Sequence, residues 1–198
     1  MRRRGLYADK RRYQLHSVKI KEAIVNEKGK VFWITGLSGA GKTTIGRAFR
    51  KLQDENRKVV LLDGDQLREV YGNDLGYEEN DRKKIAMRNI RLYKLLSDQG
   101  IDVICCNIGM YDEIRDWNRK NIENYIEIYL KVPIEVLVKR DQKGLYSRCL
   151  KGEIKNVLGL DLDFEEPKTP NMIIINDGSE TPETIAKQIY HTFCTRGE

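Results

Sequence analysis

The segment Gly36-Leu37-Ser38-Gly39-Ala40-Gly41-Lys42-Thr43-Thr44 follows an apolar run and carries the clearest chemistry in the chain. Gly36, Gly41, Lys42 and Thr43 satisfy the G-x-x-x-x-G-K-[ST] spacing of a loop that cradles phosphate. Glycines let successive backbone N–H groups curl inward onto anionic oxygens, which a Cβ would obstruct. A helix beginning near Lys42 would turn its positive end on the same anion. Lys42 has the length to reach β- and γ-phosphates, and the Thr43 hydroxyl can ligate Mg²⁺. The expected ligand is a nucleoside triphosphate.

A second cluster is Leu61-Leu62-Asp63-Gly64-Asp65-Gln66-Leu67-Arg68-Glu69. The carboxyl ends of strands in a parallel sheet face the ligand crevice, so Asp63 and Asp65 are expected to face the transferred phosphoryl group. A carboxylate there can hold Mg²⁺-bound water or accept the proton of an attacking hydroxyl. Arg68 could clamp an anionic substrate in bidentate fashion. Taken alone, these residues also fit a polar turn and a solvated helix arginine. The N-K-x-D run of guanine-reading proteins is absent.

These groups need a scaffold, and the chain alternates elements that supply one. Strands are expected at 31–35, 59–62, 102–106, 126–131 and 172–175, each short, apolar and β-branched or aromatic. Helices are expected at 43–55, 81–99, 112–121 and 134–140, and at 181–192, where Pro182 suits a first turn after a Thr cap. Within 81–99, the residues Ile85, Ile90, Leu92, Tyr93, Leu95 and Leu96 fit one face, and Gly100 suits a stop. Strands apolar throughout are buried on both faces, which predicts an α/β fold with a parallel, five-stranded sheet between helical layers. Trp33 and Trp117 read as packing residues. The charged, glycine-containing segment 144–170 is too long for an idle connection, and a lid at about 140–167 is expected.

Composition narrows the class. With 198 residues, 40% hydrophobic and 33% charged, the chain suits one globular domain. It has no membrane-spanning run, and its N-terminus lacks a secretory signal pattern. Cys105, Cys106, Cys149 and Cys194 have no metal-ligand spacing. The adjacent pair reads as buried thiols of a cytoplasmic protein. The net charge of +6 is local: residues 1–30 hold ten Lys/Arg against three Asp/Glu, leaving 26 against 27 elsewhere. A basic arm, 1–29, therefore precedes a nearly neutral domain, 30–198, and contacts solvent or a partner rather than nucleic acid. His16 and His191 stand alone, and neither reads as a catalytic base.

Four strings together resemble the adenylylsulfate (APS) kinases: GLSGAGKTT, LDGDQLR, NDLGYEENDR (73–82) and RDQKGLYSRCLKGEIK (140–155), with GLDLDFEEP (159–167) continuing the likeness. The resemblance spans about residues 30–190. It implies a P-loop kinase domain in which ATP phosphorylates the ribose 3′-hydroxyl of adenosine 5′-phosphosulfate, with Mg²⁺ as cofactor. It implies Asp65 as the base, Asp63 and Thr43 at the metal, and Lys42, Lys143 and Arg140 around the phosphates. Arg68, Arg82, Tyr77 and Lys155 would hold the acceptor, with Tyr77 standing where the family has a stacking phenylalanine. Residues 177–181 would border the adenine of ATP. The expected partners are nucleotide substrates, and a homodimer is expected.

Departures from the family pattern concentrate at the acceptor. Ile85 stands where the family has asparagine, Ile108-Gly109-Met110-Tyr111 where it has I-S-P-F, and Val157 where it has a second stacking phenylalanine. Stacking a base on an aromatic is worth about 1–3 kcal/mol, so adenine needs a substitute face, for which Tyr111 and Phe164 are candidates. APS and sulfate assimilation come first on the resemblance. A nucleotide-linked acid such as CDP-phosphoramidate, used in polysaccharide modification, is the alternative. A non-catalytic nucleotide-binding module is the competing class, against which Lys42, Thr43, Asp65 and Lys143 argue together.

Overall fold

The computed structural model describes residues 27–195, so most of the basic arm, with His16, lies outside the described residues. Five parallel strands, β1 (Val31–Thr35), β2 (Val59–Asp63), β3 (Asp102–Asn107), β4 (Tyr125–Lys131) and β5 (Met172–Ile175), form a sheet in the order β2-β3-β1-β4-β5. The helices are α1 (Lys42–Lys51), α2 (Gly64–Val70), α3 (Glu79–Asp98), α4 (Asp112–Asn121), α5 (Ile134–Arg140), α6 (Leu145–Leu150) and α7 (Pro182–Phe193). The expected α/β architecture is therefore present.

Alternation along the strands builds two cores. Phe32, Ile34, Ile104 and Cys106 point to one face, where Ile45 and Phe49 of α1 meet Ile185 and Ile189 of α7. Val31, Trp33, Val103 and Cys105 point to the other, beneath Ile90 and Tyr93 of α3 and Ile114 of α4. Both faces are covered, which is why β1 and β3 are apolar almost throughout. The adjacent Cys105 and Cys106 are free and buried, as expected.

Several boundaries differ from the sequence reading for identifiable reasons. Helix α1 ends at Lys51 rather than Glu55, because Asp54 starts a turn by accepting from the Asn56 N–H at 2.8 Å. Leu95 is 57% exposed and does not belong to the buried stripe of α3, which runs Ile85, Ala86, Asn89, Ile90, Tyr93, Ser97. Helix α2 is not among the helices expected from the sequence; Asp63 is its N-cap, accepting from the Asp65 N–H at 2.9 Å. In the expected lid, Gln142–Gly144 forms a 3₁₀ turn and Leu145–Leu150 a short helix. That segment is rooted in the body: Tyr146 is buried, and its hydroxyl donates to the Ser38 carbonyl at 2.8 Å.

Gly109 is needed for packing. A Cβ there would lie 2.2 Å from Cζ2 of the fully buried Trp33. Gly109→Ala is expected to lower unfolding free energy by about 1–3 kcal/mol through overpacking, read as a reduced midpoint in urea with an unchanged slope.

Candidate active site

The loop between β1 and α1 opens at the carboxyl edge of the sheet, where the chain order reverses around β1. Gly41 caps α1 with φ 89°, a left-handed value that side chains resist. A Cβ on Gly36 would also fall 2.6 Å from the Leu130 carbonyl oxygen. Asn176, just after β5, donates from Nδ2 to the Ala40 carbonyl at 2.8 Å and fixes the loop from behind. Arg140 spans the same side, donating to Gly39 O at 3.3 Å and Asn176 O at 3.0 Å. Arg140 and the start of 177–181 thus flank the loop. Thr181 itself caps α7 by accepting from the Thr184 N–H at 3.2 Å.

A cavity of about 290 Å³ lies in front of the loop. Ser38, Gly39, Gly41, Lys42, Thr43 and Thr44 line it at one end, while Gly36, Leu37 and Ala40 of the same loop do not. Lys42 Nζ donates to the carbonyls of Gly36 at 3.0 Å and Leu37 at 2.7 Å. Burial pushes this ammonium down to about 8, against the pull of Cys106, Asp65 and Asp63. Charged below that value and neutral above it, Lys42 should attract a triphosphate less as pH rises through about 8. ATP titrations of the wild type should show this fall, and those of Lys42→Arg, whose guanidinium stays charged, should not. Stability moves oppositely. Between about 8 and 10.5 the unfolded chain holds more protons at this group, so its contribution to stability rises with pH.

Two carboxylates on the facing edge have separate partners. Asp63 accepts from the Asp65 N–H through Oδ1, and from the Thr43 hydroxyl through Oδ2. A hydroxyl and a carboxylate converging in this way are hard oxygen donors, and the pair fits Mg²⁺. Asp65 takes no part in the helix cap through its side chain. Its Oδ2 lies 2.8 Å from Lys143 Nζ, with the two side chains 72% and 71% exposed. The hydrogen bond and charge of Asp65 hold the Lys143 ammonium above its ordinary range. Lys143 reaches Asp65 from a tight turn in which Asp141, Lys143 and Gly144 all have positive φ.

The far end is framed by cations around one ring. Arg68 is buried, rather than a solvated helix arginine, and donates to the carbonyls of Leu75 at 2.9 Å and Gly76 at 3.1 Å. Its guanidinium carbon is 4.4 Å from the Tyr77 ring centre, and that of Arg82 is 5.4 Å away. Arg82 also ties the 77–82 turn to the lid segment by donating to Tyr77 O and Asn156 O, each at 2.7 Å. Ile85, Ile108, Val157 and Leu158 give this end an aliphatic wall.

The structure thus brings Lys42, Thr43, Asp63, Asp65, Lys143, Arg68, Tyr77, Arg82, Ile108 and Val157 to one cavity. Gly109 is buried under Trp33, and Lys155 is exposed; neither lines it. Tyr111 and Phe164, the candidates for a second stacking face, do not line it either, leaving Tyr77 as the aromatic in the wall. Asn89, Asn107 and Gln142 line it but were not singled out from sequence. Asn89 had a legible signal, as a polar residue on the buried stripe of α3.

Comparison with known proteins follows the same lines. A family model described as adenylylsulphate kinase matches residues 28–175. A Campylobacter jejuni protein named cytidine diphosphoramidate kinase is 41% identical over 165 residues, covering 80% of this chain and 95% of its own. An adenylyl-sulfate kinase of Halothermothrix orenii is 39% identical over 165 residues, covering 83% and 89%. Among solved structures, the Mycobacterium tuberculosis APS kinase in complex with AMPPNP and APS has a TM-score of 0.77 at 31% identity, covering 83% and 96%.

Proposed function

The chain belongs to the adenylylsulphate kinase family and is a phosphotransferase, and from that premise we propose that it transfers the γ-phosphoryl of ATP to the ribose 3′-hydroxyl of a cytidine diphosphate conjugate such as CDP-phosphoramidate. One observation carries the choice of acceptor: among the described residues that line the cavity Tyr77 is the single aromatic, and Ile85, Ile108, Val157 and Leu158 stand at the same end in place of a second ring. A purine held between two aromatics gains stacking on both faces; this wall offers one stacking face and suits a smaller base. The 41% identity to the Campylobacter jejuni kinase supports the same choice.

The residues divide the work along the cavity. Loop N–H groups and Lys42 hold the triphosphate, and Thr43 and Asp63 would hold Mg²⁺ or its water. When bound, the ion neutralises charge on the phosphate oxygens. Arg68 and Arg82 hold the acceptor's acidic groups beside Tyr77. Asp65 takes the proton of the 3′-hydroxyl as its oxygen attacks phosphorus and ADP leaves in line. Lys143, already beside Asp65, adds positive charge where the transferred oxygens carry negative charge.

A second reading, APS itself, is favoured by the Arg68–Tyr77–Arg82 frame, which the family resemblance assigns to acceptor binding. ADP release measured side by side with CDP-phosphoramidate and APS separates the two. Turnover of the cytidine conjugate with higher kcat/KM supports the first reading; preference for APS overturns it in favour of the second.

A further inference from the structure

Three successive carbonyls of the phosphate loop are taken by side chains from the C-terminal half of the chain. The Tyr146 hydroxyl donates to Ser38 O at 2.8 Å, Arg140 to Gly39 O at 3.3 Å, and Asn176 Nδ2 to Ala40 O at 2.8 Å. Tyr146 and Asn176 do not line the cavity, whereas Gly39 and Gly41, which follow the two carbonyls they hold, both do. The two holders are buried and are fixed in their turn. The Tyr146 N–H donates to Asp141 Oδ1 at 2.9 Å. The Asn176 N–H donates to the Lys131 carbonyl at 2.9 Å, and its own carbonyl receives Arg140.

A peptide unit is planar and trans, so its C=O and the N–H that follows point to opposite sides. Drawing Ser38 O toward Tyr146 therefore turns the Gly39 N–H away from Tyr146. Drawing Ala40 O toward Asn176 likewise turns the Gly41 N–H away from Asn176. The peptide between them closes on the loop itself, since the Ala40 N–H donates to Leu37 O at 3.2 Å. Among the described residues the Gly39 and Gly41 N–H groups have no such acceptor, which leaves them for an anion in the cavity. The loop by itself does not impose this orientation. Gly39 and Gly41 have φ 76° and 89°, and glycine takes either sign of φ at no steric cost, so the peptides beside it can turn over. Turned over, each would set a carbonyl oxygen against phosphate.

We propose that Tyr146 and Asn176 are positioning residues for phosphoryl transfer: by holding the Ser38 and Ala40 carbonyls, they keep the Gly39 and Gly41 N–H groups turned to the triphosphate. Neither side chain touches the reacting atoms. The inference rests on the reading of the loop as a triphosphate cradle and is independent of the acceptor's base. It makes the two holders separable, because each governs one peptide.

The test compares the wild type with Tyr146→Phe, which removes only the hydroxyl, and Asn176→Leu, which keeps the approximate volume and removes the donor. Inorganic tripolyphosphate, which lacks base and sugar, is the probe. Each variant should bind it about tenfold more weakly by calorimetry, the scale of a lost hydrogen bond to a charged group. In ¹⁵N-labelled wild type the amide signals of Gly39 and Gly41 should both move on adding tripolyphosphate. Tyr146→Phe should suppress the response at Gly39 and keep it at Gly41, and Asn176→Leu the reverse. Variants that melt earlier yet bind tripolyphosphate as tightly as the wild type have lost only stability, and that result overturns the proposal. So does a wild type that binds it with neither glycine signal moving. If Asn176→Leu does not fold, Tyr146→Phe and the wild-type signals decide. A wild type that fails to bind tripolyphosphate overturns instead the cradle reading on which the proposal stands.

Discussion

Asp65→Asn is expected to lower kcat by about a thousandfold, the scale of a lost general base, with ATP affinity nearly unchanged. The reason is a division of roles between neighbouring carboxylates. Asp63 uses one oxygen to cap α2 and the other to receive the Thr43 hydroxyl, so both of its oxygens are already engaged at the phosphate end. The Asp65 side chain is largely exposed to the cavity and is paired with Lys143. Asparagine preserves its size and leaves the Asp63 cap untouched, so the fold should hold and only the proton acceptor is lost. Steady-state ADP release, combined with ATP binding by calorimetry, checks both halves. Turnover within a few-fold of wild type would remove Asp65 from the base role.

Lys42→Ala is the second large effect, with an expected loss in kcat/KM of about 10³-fold or more from removal of a positive charge on the transferring phosphates. Unlike Asp65→Asn, it should weaken ATP binding as well, because Lys42 meets the phosphates before and during transfer. The fold should not suffer. The ammonium is held by two backbone carbonyls in a place where burial depresses its proton affinity to about 8, so near neutral pH its removal relieves a desolvated charge. Thermal unfolding of Lys42→Ala should therefore match or exceed that of the wild type. A variant that loses activity only because it melts early would contradict this account.

The phosphate end of this site was written plainly in the chain. Gly36, Gly41, Lys42 and Thr43 are consecutive enough that backbone geometry dictates their types, and the apolar β1 and periodic α1 on either side locate them. Asp63 and Asp65 were legible for the same reason, as polar residues ending an apolar strand. The cap made by Asp63 was not, because a seven-residue helix such as α2 is too short to show a period. The acceptor end was harder still. It is assembled from α2, α3, the end of β3 and the lid segment, so no local spacing joins its parts. For Arg68 the sequence leaves an anion clamp and a solvated helix arginine both open, and only the carbonyls of Leu75 and Gly76 and the Tyr77 ring, closing over it, decide that it is buried. Gly109 sat in a string tied to the acceptor, yet it makes room for Trp33, a contact 76 residues away in sequence. Tyr111 and Phe164 had the right chemistry to stack on a base, and tertiary packing turned both elsewhere.

The most direct test is the fate of the phosphate itself. Wild-type protein, ATP, Mg²⁺ and CDP-phosphoramidate should yield one ADP for each new phosphomonoester on the ribose 3′-oxygen, followed by phosphorus NMR. The 3′-deoxy acceptor should give no acceptor-dependent ADP. ADP forming at the same rate with the 3′-deoxy compound, or with no acceptor present, would contradict the account.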